Sequence, residues 1–209
     1  MTLKAAIFDW DGTITDSNNI KTEAFVELFQ NACPQAAGYI REYQQNRGGI
    51  SRFEKFRHYI RHFFHREASA AELEDFGRRY AALCRQKLLN APFIPGAVET
   101  LRKLSGAKIP VFIVTGSPAA EIRELAGARN LLPLIHHIYG SPPTKDVLLA
   151  ALLAENRLVP EETVFFGDAP ADCEAARINK IPFIGICPGK KNSPFPPHTT
   201  VVSAIDLDI

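Results

Sequence analysis

Beyond residue 90 the chain alternates between two textures, and this alternation restricts the fold more than any other feature. Helical spacing covers Ala97–Leu104, Pro118–Ala128, Lys145–Glu155 and Pro170–Ile178. Each helix leads into a short strand-like run: "PVFIVTG", "HHIYG", "TVFFGD" and "PFIGI" in turn. An earlier run, Leu3–Phe8, has the apolar character of a strand buried on both faces. Strands separated by helices of this length make βαβ units and a parallel sheet. Right-handed crossovers then lay helices over both faces. The expected class is α/β, with a three-layer α/β/α core.

The stretch between the first strand and that region is helical in texture. "TEAFVELF" places Ala24, Phe25, Leu28 and Phe29 on one helical face. "SRFEKFRHYIRHFF" does the same for Phe53, Phe56, Ile60, Phe63 and Phe64. Ser69 is placed to cap a third helix, with Glu72 three residues on as a capping box. The division expected is 1–16 and 91–209 for the sheet core, with 17–90 as a helical insertion after the first strand. The Pro-rich tail "CPGKKNSPFPPHTT" reads as loop, and "TVV" as a last edge strand.

A chain of 209 residues can bury a sizeable core. A net charge of +1 predicts no bulk attraction to nucleic acid or to an anionic membrane. No apolar stretch reaches the roughly 18–20 residues of a membrane span. Met1 is followed almost directly by a strand-like run, without the basic and apolar regions of a signal peptide. Cys33, Cys84, Cys173 and Cys187 form no CxxC pair, which suits reduced thiols and a cytoplasmic location.

In an open parallel sheet, ligands bind beyond the carboxyl ends of the strands. Asp9 and Asp11 follow the first strand, and Thr115, Gly116 and Ser117 the second. Lys145 opens the helix after the third, and Asp168 and Asp172 follow the fourth. Carboxylates gathered on one rim cannot all stay ionised without a counter-charge. A hard divalent cation such as Mg²⁺ takes oxygen ligands of this kind, and no His or Cys lies among these rim residues to favour zinc. A cation site, an ammonium, a hydroxyl and backbone N–H groups around a carboxylate suit phosphoryl transfer. An Asp carboxylate can itself attack phosphorus.

"DWDGT", "VFIVTGS", the helix-entry Lys145 and "GDAPAD" together resemble the haloacid dehalogenase-like hydrolase superfamily, in its helical-cap subgroup of phosphoglycolate phosphatases and β-phosphoglucomutases. The resemblance covers nearly all of the chain outside the insertion. It implies a Rossmann-like core, a helical cap and an Mg²⁺-dependent phosphatase working through an aspartyl phosphate. Asp9 matches the nucleophile and Asp11 the acid/base. Gly12 and Thr13 match the turn leaving the strand. Thr115 matches the phosphate-binding hydroxyl, and the backbone N–H groups of Trp10 and Gly116 lie near phosphate. Lys145 matches the ammonium that steadies nucleophile and phosphate. Asp9, the Asp11 carbonyl and Asp168 match metal ligands, and Asp172 a ligand or its supporting partner. Asp9 and Asp11 are separated by roughly 6–7 Å of extended backbone, room for a phosphoryl group and its leaving oxygen. The substrate implied is a small phosphorylated metabolite. A phosphomutase shares all four motifs, and a catalytically idle binding or regulatory protein could share the fold.

Other features carry simpler readings. Arg47, Gly48, Gly49 and Arg52 form a turn where members with a cap place a specificity loop. Most of the other basic residues between Arg41 and Arg66 read as a solvated helix face opposite the Phe stripe. His58, His62 and His65 lack a zinc-binding pattern. The ring of Trp10 is expected to pack in the core, while Ser17, Asn18 and Asn19 cap and hinge the first inserted helix. "GICPGKKNSP" lacks the spacing of a phosphate loop and reads as a surface loop. Oligomeric state leaves no mark on the sequence.

Overall fold

Strand β1 (Ala5–Phe8) is buried along its whole length, so it needs cover on both faces. The computed structural model, which describes residues 3–189 and 193–207, supplies that cover. Five strands join β1: β2 (Val111–Pro118), β3 (His137–Ser141), β4 (Thr163–Gly167), β5 (Phe183–Ile186) and β6 (Thr200–Val202). Their order is β3-β2-β1-β4-β5-β6, and every pairing is parallel. The expected edge strand "TVV" is β6.

Side-chain alternation divides the core between two layers. Ala5, Ile7, Phe112, Val114 and Phe165 pack against Leu149 and Leu152 of α7 (Lys145–Asn156) and Ala175 and Ala176 of α8 (Pro170–Ile178). Ala6, Phe8, Ile113 and Phe166 face Leu101 of α5 (Ala97–Gly106) and Ile122 of α6 (Ala119–Ala128). Each fully buried Ile or Phe contributes about 1.5–3 kcal/mol. The result is the α/β/α sandwich that the alternating texture demands.

Between β1 and α5 the chain forms α1 (Asn18–Phe29), α2 (Ala36–Asn46), α3 (Arg52–Phe64) and α4 (Ala70–Leu89). Phe25, Phe29, Phe56, Tyr59 and Tyr80 join in one aromatic cluster, with Phe25 and Tyr80 ring centroids 4.5 Å apart. Ser69 and Glu72 make the expected capping box at the start of α4. His65, in the left-handed region at φ 53°, ends α3.

Several local expectations are corrected. Phe64 is exposed and Tyr59 takes a core place, because residues 56, 59, 60 and 63 form the inward stripe and Phe64 lies beyond it, at the last position of α3. Val26 is buried where Leu28 is only half-buried. Strand β2 runs on to Pro118, with an irregular register between Thr115 and Pro118, so α6 starts one residue later than its spacing suggests.

In "GICPGKKNSP", Gly185 and Ile186 belong to β5, and Lys190, Lys191 and Asn192 lie outside the described residues. The four cysteines are free thiols. No helix among the described residues is long and apolar enough to cross a membrane.

Candidate active site

The chain leaves β1 toward β2 on one side and later fills the other side with β4, so strand order reverses between β1 and β4. A crevice opens beyond the carboxyl ends of strands at such a point. Asp9 and Asp168 stand there, each directly after its strand. Helices α1 to α3 roof the crevice into a cleft of about 310 Å³, lined by Asp9, Asp11, Thr115, Gly116 and Asp168 from the core.

Asp9 is buried, and its backbone N–H donates to the Phe166 carbonyl at 2.8 Å. Its Oδ2 lies 2.9 Å from Lys145 Nζ, and its Oδ1 is buried without a hydrogen-bond partner. Burial drives this carboxyl well above the ordinary carboxylate range. Lys145 pulls the other way, while Asp172, Asp168 and Asp11 add to the rise. Lys145 also reaches Asp172 Oδ1 at 2.5 Å. Burial would lower its pKa, but Asp172 and Asp9 outweigh burial and raise it. The other Asp172 oxygen accepts from Ala169 N–H at 3.0 Å. Both Asp172 oxygens are therefore engaged within the protein, the arrangement of a supporting partner.

Asp11 sits in different company. Ser17 Oγ donates to its Oδ1 at 2.6 Å, while Lys21 Nζ and Ser117 Oγ (3.1 Å) reach its Oδ2. Lys21 also donates to Ser117 Oγ at 2.7 Å. Burial alone would raise the pKa of Asp11, but Lys21, Ser17 and Ser117 hold it below its ordinary value. Two aspartates, two residues apart, are thus pushed in opposite directions by their surroundings.

The turn after Asp11 requires glycine. Gly12 adopts φ +78°, and a Cβ there would sit 2.2 Å from Asp168 Oδ2. Asn18 donates to the same oxygen at 2.6 Å. Asp9, Asp168 and Asp172 each offer an oxygen within 4.8 Å of the others. An oxygen-only donor set, one member of it a buried acceptor without a donor, fits a hard cation.

Most residues singled out in the sequence converge here. Thr115 is buried and its Oγ1 accepts from Ser117 N–H at 3.1 Å. The Trp10 ring is buried, as expected. Gly48, Gly49 and Arg52 line the cleft, with Arg52 Nη2 2.6 Å from Glu121 Oε2 of α6. Arg47 is exposed at the end of α2, outside the lining. Ser17 stands at the N-cap of α1, but its side chain makes no capping bond and turns to Asp11 instead. His58 pairs with Tyr39 Oη at 2.7 Å, and no histidine among the described residues joins a metal-ligand cluster.

The sequence assigned no role to two polar cleft residues, Lys21 and Ser117. Lys55, expected on a solvated helix face, is instead buried and faces the cleft, because the α3 face that carries it packs toward the sheet. Ser117 was visible two positions beyond Thr115. Lys21 is one helical turn beyond Ser17, a spacing that carries meaning only once both are seen to face Asp11.

The profile of the haloacid dehalogenase-like hydrolases matches residues 3–178. The chain belongs to that family. Validoxylamine A 7'-phosphate phosphatase of Streptomyces hygroscopicus subsp. limoneus is 27% identical over 190 residues, 88% of this chain and 85% of that protein. Mitochondrial (DL)-glycerol-3-phosphatase 1 of Arabidopsis thaliana is 25% identical over 82% of this chain, which spans 59% of that protein's length. β-Phosphoglucomutase of Clostridium difficile superposes with a TM-score of 0.76 at 17% identity, over 97% of this chain and 92% of that one. At that identity the match shows the fold alone. Family and relatives together define an enzyme of the phosphatase class.

Proposed function

We propose that this protein hydrolyses a small phosphorylated metabolite through an aspartyl phosphate on Asp9, with Mg²⁺ bound beside it. The observation that carries the reading is the state of Asp9. One oxygen is fixed by Lys145, and the other is buried without a partner in the cleft. Asp9 and Asp168 would hold the cation, with the Asp11 carbonyl as a third ligand and Asp172 in support. When bound, the cation supplies charge neutralisation that lets an anionic carboxylate meet an anionic phosphoryl group.

The residues divide the work. An oxygen of Asp9 attacks phosphorus, the ester P–O bond breaks, and the leaving oxygen takes a proton from Asp11. A water then gives its proton to Asp11 and attacks the same phosphorus, which breaks the bond to Asp9 and releases phosphate. The first step uses Asp11 as the acid and the second uses its carboxylate, the form that Lys21, Ser17 and Ser117 favour. Lys145 and Thr115, with the Trp10 and Gly116 N–H groups, would cradle the phosphoryl oxygens. Helices α1 to α3 limit access of water.

The test is hydrolysis of p-nitrophenyl phosphate by the wild-type enzyme and by Asp9→Asn, with Mg²⁺ and after chelation. The wild type is expected to need the metal, and Asp9→Asn to lose about a thousandfold or more in kcat while keeping its fold. Near wild-type turnover by Asp9→Asn would remove the nucleophile assignment.

A further inference from the structure

Lys55 on α3 is a buried cation facing the cleft, 7% exposed, and takes no part in the proposed hydrolytic steps. Its ammonium donates to Gln44 Oε1 at 2.5 Å and lies 5.6 Å from the Phe25 ring centroid. The other cations that line the cleft are matched by acids: Lys21 by Asp11, Arg41 by Glu23 and Arg52 by Glu121; Lys145, which meets Asp9 from outside the lining, is matched by Asp9 and Asp172. Lys55 has no carboxylate partner among the described ion pairs. An ammonium carries three donors, and hydrogen bonds among the described residues occupy one of them.

We propose that Lys55, held by Gln44, is a specificity-determining residue that binds a second anionic group on the leaving portion of the substrate, a carboxylate or a further phosphate. The proposal rests on the phosphatase reading and deepens it. Burying a charge is costly unless it is paired, so a ligand anion at this place completes the site. Electrostatics agree: burial, with help from Lys21, lowers the Lys55 pKa to about 7, while Asp11 and Asp168 oppose the fall and Lys145 adds to it. A bound anion restores the charged form. A neutral polyol would leave the ammonium without a counter-charge.

The experiment compares matched esters on the wild-type holoenzyme with Mg²⁺. One pair is 3-phosphoglycerate and glycerol 3-phosphate; the other is 2-phosphoglycolate and 2-hydroxyethyl phosphate. The acid member is expected to win by about tenfold or more in kcat/KM in at least one pair, the scale of a charge-assisted hydrogen bond. Lys55→Met should raise KM for the acid by about ten- to a hundredfold, with a much smaller change in kcat and in the KM of the neutral partner. Lys55→Arg should recover part of the discrimination.

Equal or reversed preference in the wild type overturns the proposal without any variant. So does an equal loss for acid and neutral esters in a folded Lys55→Met. Turnover of p-nitrophenyl phosphate without discrimination leaves the phosphatase reading intact, whereas no turnover of any ester removes both.

Discussion

At the residue scale the site depends on two aspartates given opposite environments. Asp9 and Asp11 share chemistry and nearly share position, yet burial raises one and three donors lower the other. Lys21 is the positioning residue behind that difference, since it bridges Asp11 and Ser117. Lys21→Met is expected to reduce kcat/KM by about ten- to a hundredfold, the value of one charged hydrogen bond. A pH profile separates this role from simple loss of packing. Without Lys21 the folded pKa of Asp11 rises, so the carboxylate that the proposed second step needs is lost at higher pH. The acidic limb of kcat should move upward; a limb that stays in place would show that Lys21 does not set the state of Asp11. The four-motif pattern made Asp9, Asp11, Lys145 and Asp168 legible in the sequence. Lys21 and Lys55 were not, because their meaning comes from helices that fold back over the sheet.

At the element scale, the carboxyl end of β2 meets the loop between α2 and α3. A Cβ on Gly116 would stand 2.7 Å from the Gly49 carbonyl oxygen, a backbone atom that cannot rotate away. The ion pair from Arg52 to Glu121 fixes α3 to α6 beside that contact. Gly116→Ala is therefore expected to push the loop off the cleft, raising KM and lowering kcat while Tm changes little. Steady-state kinetics and thermal unfolding on the same preparation check this, and unchanged kinetics would mean that the loop's seat is immaterial. Periodicity located every strand and every α-helix except α2 (Ala36–Asn46), which buries only Ala36 and Ile40 and so leaves little apolar spacing to read. It erred at Phe64 and at the start of α6, where a helix end and an irregular strand, rather than spacing, decide.

At the scale of the whole molecule, one sheet and one helical roof have separate tasks. The sheet brings Asp9, Thr115, Lys145 and Asp168 to one rim through its strand order, which alternating sequence texture largely dictates. The roof closes a cleft of about 310 Å³ and carries Gln44 and Lys55, whose partners depend on how four helices pack. Specificity was accordingly the least readable part of the chain. The central claim is that phosphorus is bonded for a time to Asp9. The direct measurement is acid quench of the Mg²⁺-loaded enzyme during turnover of a radiolabelled phosphate ester, followed by peptide mapping. The account predicts acid-stable label on the peptide containing Asp9, absent in Asp9→Asn. Steady turnover with no label on the protein, or label on another residue, would contradict it.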